Sequence, residues 1–193
     1  MVDHEQRREE LAAAVWRLAS RDGLHAVTIR AVAKEAGWST GALHHYFADK
    51  EELLLFAFRT IANRIGRRVT AAREGARDRL DLVRALLAIG LPLDAERRDE
   101  TRVWFAFLGL ALTRPPLARA QGAAYGQWRR LVRSALEQAQ ADGELEAAID
   151  PEREAAALVA LMDGLAVQGM FGLSVARQLE LLDARIAELR GGR

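Results

Sequence analysis

Residues 28–53 read TIRAVAKEAGWSTGALHHYFADKEEL, and the middle of this segment decides the fold. From Trp38 there is room for one helix before Asp49 and Glu52, spaced as a capping box, announce the next start. The enclosed helix is barely two turns long, carries Gly41 near its beginning and crowds His44, His45 and Tyr46 at its end. A helix of that size is not stable alone and must be held by its neighbours. Its composition therefore suggests a helix that is presented as well as packed. Just upstream, Thr28 can cap the segment IRAVAKEA, which places Ile29, Val32, Ala33 and Ala36 on a buried face. Gly37 then permits a tight reversal, and Ser39 caps the short helix.

Two short helices joined at AGWS match the helix-turn-helix pattern, in which the second helix lies in the major groove of DNA. On this reading Thr40, Ala42, His44 and His45 face outward, while Leu43 and Phe47 anchor the helix inward. Gly41 lets a sugar-phosphate strand approach closely, and Tyr46 donates its hydroxyl to a phosphate. Lys50, in the first turn of the following helix, adds its charge to the positive end of that helix. Thr28 and Arg30, at the start of the helix before the turn, complete the candidate DNA-binding set. Arg59, Arg64, Arg67 and Arg68 form a basic cluster further on, which is better read as a solvated helix face than as more DNA footprint.

Outward from this segment, apolar residues recur at helical spacing almost throughout, and no stretch alternates long enough to make a strand. The expected fold is all-α, with nine or so helices. The first runs from about Glu5 to Ser20, with Leu11, Val15 and Leu18 on one face and Gly23 placed to end it. The fourth runs from Asp49 to about Arg73 and is long enough to link two parts. Beyond it, helices are expected near Arg79–Leu91, Glu96–Thr113, Leu117–Ala141, Glu152–Phe171 and Val175–Leu189, punctuated by prolines and Gly143.

Composition narrows the class of protein without naming it. With 193 residues and 50% hydrophobic content, the chain can bury a substantial core. It contains no cysteine, so thiolate chemistry, disulfides and cysteine-ligated zinc are excluded, and a reducing cytoplasm is compatible. The longest uncharged run, Gly164 to Ala176, is shorter than the roughly 18 residues that suggest a membrane span. The opening MVDHEQRREE is too acidic for a signal peptide, so neither membrane insertion nor secretion is expected. Net charge is only +1, with 14 basic against 11 acidic residues over positions 1–80 and 14 against 16 beyond them. That asymmetry is weak evidence for a basic first third.

GWSTG, Gly37 to Gly41, also satisfies the G-x-S-x-G pattern of a hydrolase nucleophile. Such an elbow needs a strand before the serine and a later histidine, whereas a helix precedes Ser39 and the last histidine is His45. Adjacent His44 and His45 point about 100° apart on a helix, and no histidine lies four residues from either, so neither a metal nor a cofactor is expected. No catalytic group emerges.

The ordered set Thr28, Ala33, Gly37, Ser39, Gly41, Leu43, Tyr46, Phe47, Lys50 and Leu53 resembles the DNA-binding domain of TetR-family transcriptional regulators over about the first fifty-five residues. The resemblance implies a homodimer, a helical ligand-binding C-terminal domain and repression of a palindromic operator relieved by a small molecule. It places the helix-turn-helix domain at residues 1–52 and the ligand-binding and dimerisation domain at 53–193. ETRVWFAFLGLAL and LMDGLAVQGMFG further resemble the branch containing choline-responsive BetI-type repressors. At the place of His44 the family commonly has tyrosine, so an imidazole replaces a frequent phosphate-contacting phenol. Operator preference is correspondingly open.

In the second part Trp104, Phe107, Tyr125, Trp128, Met162 and Phe171 supply apolar surface, and Gln168 adds a polar group. Any one ring serves equally as core; together they suit a mostly apolar effector site. Asp163, within ALVALMDGLAVQGMF, needs a partner if buried and can attract a cation with aromatic help; a helix cap or an intersubunit contact are the other readings. Small residues Ala160, Gly164 and Gly169, with the last helix's stripe of Leu179, Leu182, Ile186 and Leu189, offer a four-helix face to a symmetry mate or to the chain itself. The expected molecule is a cytoplasmic, non-enzymatic DNA-binding regulator whose effector alters the separation of two recognition helices, with the fourth helix as lever. A helical adaptor without selective DNA binding is the alternative.

Overall fold

The computed structural model describes residues 2–191, with side chains from residue 6 onward. The described residues form nine α-helices and no strand. These are α1 (Val2–Asp22), α2 (Ile29–Ala36), α3 (Thr40–His44), α4 (Lys50–Gly75), α5 (Arg79–Ile89), α6 (Ala95–Ala111), α7 (Pro115–Ala141), α8 (Pro151–Met170) and α9 (Val175–Gly191). A single 3-10 turn, Leu24–Ala26, which the apolar spacing does not signal, joins α1 to α2. Helix α7 begins at Pro115, ahead of the Leu117 expected from sequence, because prolines are tolerated in a first turn whose N–H groups have no helical partner. By compactness the chain forms two units, Met1–Arg64 with Arg102–Gln121, and Ile65–Thr101 with Gly122–Arg193.

In the first unit, Leu11, Ala14, Val15 and Leu18 of α1 are buried on one face, as the periodicity requires. Glu35 of α2 accepts from Arg17 Nε of α1 at 2.8 Å. That bond, with help from Arg21, holds the Glu35 carboxyl below the usual range. Thr28 Oγ1 accepts from the Ala31 N–H at 3.1 Å and starts α2. Gly37, at φ 73°, ends it in the left-handed region. The Trp38 N–H then reaches the Ala33 carbonyl at 2.8 Å and the Gly37 N–H that of Lys34 at 3.3 Å, a Schellman closure that sets the reversal. Further along, the Phe58 ring stacks on Trp104 and Phe107, with centroids 5.3 and 4.2 Å apart.

Two of the four arginines in the α4 cluster make internal contacts. The Arg64 guanidinium lies 4.5 Å from the Trp16 ring centroid. In the second unit, Arg68 pairs with the buried Glu100 of α6; Arg59 of the first unit and Arg67 of the second are exposed.

Helix α5 is the spine of the second unit, with Leu80, Val83, Leu86 and Leu87 fully buried. Its first-turn donors are satisfied from two directions: Asp78 Oδ1 accepts from Asp81 N at 2.7 Å, and Glu144 Oε2 accepts from Arg79 N at 2.9 Å and Leu80 N at 3.1 Å. Leu182, Ile186 and Leu189 of α9 are buried within the chain, so this stripe serves intrachain packing rather than a partner. The outward apolar residues near it are Val167, Phe171, Val175 and Leu181.

Helices α8 and α9 approach closely where Gly169 faces Gln178. A Cβ at Gly169 would lie 2.5 Å from Gln178 Nε2 and 2.7 Å from its Cδ. Gln178 is fully buried and donates Nε2 to the Leu173 carbonyl at 2.9 Å, so it cannot simply swing aside. Gly169→Ala is therefore expected to lower unfolding free energy by about 1–3 kcal/mol. Thermal melts of the variant against the wild-type protein measure it.

Candidate nucleic-acid interface and effector site

Helix α3 is five residues long and is held by what surrounds it. Ser39 Oγ accepts from the Ala42 N–H at 3.1 Å and starts it. Leu43 and Phe47 are buried, and the Phe47 ring packs on Phe56 of α4 at 5.1 Å. With that side committed inward, Thr40, Gly41, His44 and His45 are exposed, and Ala42 and Tyr46 are half-buried. Arg30, in the first turn of α2, and Lys50, at the start of α4, are exposed as well, whereas Thr28 is half-buried beside its cap bond. All nine candidate DNA-contacting residues lie in the first unit. The start of α4 departs slightly from the capping box expected from sequence: Asp49 Oδ1 accepts from Glu52 N at 2.9 Å, but Glu52 Oε2 accepts from Ala48 N rather than from Asp49 N.

Gly41 is not required by its own fold. A Cβ there meets nothing within 4 Å, and the residue lies in helical backbone without positive φ. A Gly41→Ala change is thus expected to leave stability unchanged or raise it by up to about 1 kcal/mol, and yet to weaken DNA binding by blocking the backbone's approach. Paired thermal melts and DNA titrations check both halves.

The effector candidates divide between the units. Trp104 and Phe107 belong to the first, where Phe107 has no exposed surface and stacks on Phe58 while Trp104 is half-buried. Tyr125, Trp128, Met162, Asp163, Gln168 and Phe171 belong to the second. There Tyr125 and Asp163 come together through a side-chain hydrogen bond. Asp163 is half-buried in the interior of α8, which excludes the helix-cap reading. Desolvation raises its pKa above the ordinary aspartate value, and the Tyr125 hydroxyl, by donating to the carboxylate, works in the opposite direction. Trp128 Nε1 is buried without an acceptor among the described residues. Met162 is 8% exposed, and it occupies the space beside Gly90, where a Cβ would lie 2.4 Å from its Sδ. Gln168 and Phe171 instead point outward, Phe171 with 86% of its surface exposed.

Sequence reasoning missed two features. Gln121, four residues before Tyr125 on α7, is 5% exposed with both amide atoms unpaired among the described residues; helical spacing from Tyr125 and Trp128 was the available signal. Trp38, in the turn, meets Tyr46 edge-on with centroids 5.5 Å apart. Its position directly before the cap residue was visible, but its ring contact was not.

A two-turn scaffold that buries one side of a short capped helix, and leaves donors on the other beside an N-terminal lysine, defines a helix-turn-helix DNA-binding protein. Residues 11–57 match the family model of bacterial regulatory proteins of the tetR family, and residues 76–191 match that of the BetI-type transcriptional repressor C-terminal domain. The HTH-type transcriptional regulator PksA of Bacillus subtilis is 34% identical over 171 residues, covering 88% of this chain and 81% of that protein. A transcriptional regulator from Rhodococcus sp. Rha1 superposes with a TM-score of 0.82 at 31% identity, over 96% of each chain. A transcriptional regulator from Saccharomonospora viridis, solved in complex with choline, superposes with a TM-score of 0.83 at 28% identity, over 95% of this chain and 96% of that one. The chain belongs to the TetR family of DNA-binding transcriptional regulators and has a BetI-type C-terminal part. Its relatives are transcriptional regulators, and no described helix is long and apolar enough to cross a membrane.

Proposed function

We propose that this protein is a cytoplasmic, homodimeric repressor that leaves a palindromic operator when it binds a small cationic effector. The observation that carries the DNA half is the division of α3 and the residues that follow it: Leu43 and Phe47 buried, Thr40, Gly41, His44 and His45 exposed. By role, residues 1–52 serve DNA and residues 53–193 serve effector and partner. Compact units cut the chain differently because α4, α6 and α7 each contribute to both. In the dimer two copies of α3 enter successive major grooves, about one helical turn apart. Arg30, Tyr46 and Lys50 contact phosphates, while Thr40, Ala42, His44 and His45 face base edges. The outward Val167, Phe171, Val175 and Leu181 support a partner-facing surface on α8 and α9.

For the effector, Asp163 is the charge and Tyr125 its hydrogen-bonding neighbour, and Trp128 of α7 and Met162 of α8 are assigned to the same site. A carboxylate held at a desolvation cost gains most from a cation that needs no water of its own, such as a quaternary ammonium, and aromatic faces assist. The choline complex of the Saccharomonospora viridis relative supports the same class. Helix α4 transmits the change, since α6 grips it through Phe58 with Trp104 and Phe107, and through Arg68 with Glu100. The effector shifts the dimer only by its differential affinity for the released state.

Selection of duplexes from a randomised library with the purified protein tests the reading. A palindromic consensus whose binding weakens as salt rises is expected, and choline is expected to release it. A folded dimer that enriches no sequence at low salt would favour a helical adaptor instead.

A further inference from the structure

All four histidines of the chain lie in its first fifty residues, and two of them, His44 and His45, stand side by side at the end of α3. His45 keeps helical backbone, with φ −75° and ψ −18°. At about 100° per residue it is therefore rotated about 200° from Leu43. Leu43 is fully buried, so His45 points away from the core, along the same strip of surface as Gly41 one turn earlier. Both residues are exposed. A Cβ at Gly41 would meet nothing within 4 Å, so the strip before the imidazole is open backbone, where a nucleic-acid strand can come close. His44, turned only about 100° from Leu43, flanks this strip.

Neither imidazole has a hydrogen bond or ion pair among the described residues. His45 lines an open groove whose other charged and titratable groups are Arg7 and Glu10 of α1 and Tyr46. Glu10 favours a positive imidazole, whereas Arg7 and a charged His44 oppose one. On α2, Arg30 and Lys34 are exposed cations, and Glu35 is engaged by Arg17 and Arg21. At the start of α4, beside Lys50 and Glu51, Asp49 accepts from Glu52 N and Glu52 from Ala48 N. The nearby carboxylates of α2 and of the α4 cap are thus committed elsewhere, and the strongest field a bound duplex adds at His45 is that of its phosphates.

We infer that His45 makes the DNA interface a proton-binding site as well, so that operator and proton bind together; this rests on the proposed reading of DNA by α3. Imidazole is the side chain whose ordinary titration falls between about pH 5 and 8. Phosphates favour its charged form, and linkage requires that each ligand strengthen the other by the same factor. The sign is fixed: the proton is held more tightly on DNA than off it, so affinity is greatest in acid and is lost as pH rises through the imidazole range. Acidification then tightens repression without any change in effector.

The test uses the full-length protein and the duplex recovered by selection at pH 6, titrated from pH 6 to 8 at fixed salt. Wild-type affinity is expected to be about tenfold or more higher at pH 6 than at pH 8. The slope of log affinity against log salt is expected to be steeper at pH 6 by up to about one per protomer. Calorimetry in buffers of different ionisation heat is expected to show protons taken up on binding. His45→Gln, which keeps a neutral donor and acceptor, is expected to lose the proton uptake and most of the pH dependence while binding at pH 8 stays near wild type. His45→Arg, with a fixed charge, is expected to bind at pH 8 about as the wild type does at pH 6. His44→Gln is expected to keep most of the pH dependence. If wild-type protein binds the duplex equally at pH 6 and 8, or if His45→Gln retains the pH dependence, the inference falls and the α3 interface stands. If the wild-type protein selects no duplex at all, the α3 reading falls and takes the inference with it.

Discussion

Substituting Tyr46 by Phe and Lys50 by Ala is expected to abolish operator binding at physiological salt while leaving the fold intact, and the two changes should do so by separable routes. Tyr46 is half-buried with its ring against Trp38, and a phenylalanine keeps that edge contact while removing the hydroxyl. A hydrogen bond to a charged phosphate contributes about 1.5–3 kcal/mol, so its loss from both protomers is worth on the order of 10²-fold or more in affinity. Because the phenol is neutral, the slope of log affinity against log salt should not change. Lys50 is exposed at the first residue of α4, and its loss releases about one fewer counterion per protomer, so the slope should fall by about two for the dimer. Thermal melts close to wild type would complete the result. Undiminished affinity in the double variant would mean that the DNA does not lie against this end of α3.

The second large effect is expected at Asp163. Asp163→Asn should weaken choline-induced release on the order of 10²-fold or more, because a desolvated charge pair that loses one partner costs about 2–5 kcal/mol. Operator affinity without effector should be unchanged. The Tyr125 hydroxyl still has an acceptor in the substituted amide, so the hydrogen bond seen here can persist. The pH dependence has a definite sign. Asp163 binds its proton more tightly in the folded chain than in the unfolded one, so its contribution to stability is greatest in acid and is lost as pH rises through the raised pKa. At neutral pH the ionised carboxylate is therefore a burden, and the Asp163→Asn variant should melt higher than wild type and show less of this pH dependence. Choline should bind more weakly as pH falls through the same range, since protonation removes the charge it meets. Comparing choline with 3,3-dimethylbutanol, its neutral analogue, isolates the charge: equal responses to both would sink the cationic assignment.

The helices were legible in the sequence because their signals are local. Thr28, Gly37 and Ser39 act within a few residues of themselves, and the structure uses each as a cap or a reversal where the sequence places it. The spacing of Leu43 and Phe47 alone directs both inward, and both are buried. Composition groups Phe107 and Phe171 together as candidates for one apolar site, yet one is enclosed against Phe58 and the other is 86% exposed. Aromatic content does not say which way a ring faces. The stripe Leu182, Ile186 and Leu189 was periodic whether it met a partner or its own chain, so periodicity left that choice open, and packing settled it.

By itself, the sequence determined an all-α chain with a short capped helix on a tight turn, since caps, glycine conformations and 3.6-residue spacing are properties of neighbouring residues. It also carried enough ordered positions to resemble its family. Only the tertiary structure decided that Arg64 and Arg68 serve internal contacts, that Tyr125 donates to Asp163, and that Arg7 shares a groove with Trp38 and Tyr46. Those pairings join residues far apart along the chain. Which of many possible partners a side chain meets depends on how whole helices pack, and the local signals that start and stop each helix are silent on that choice.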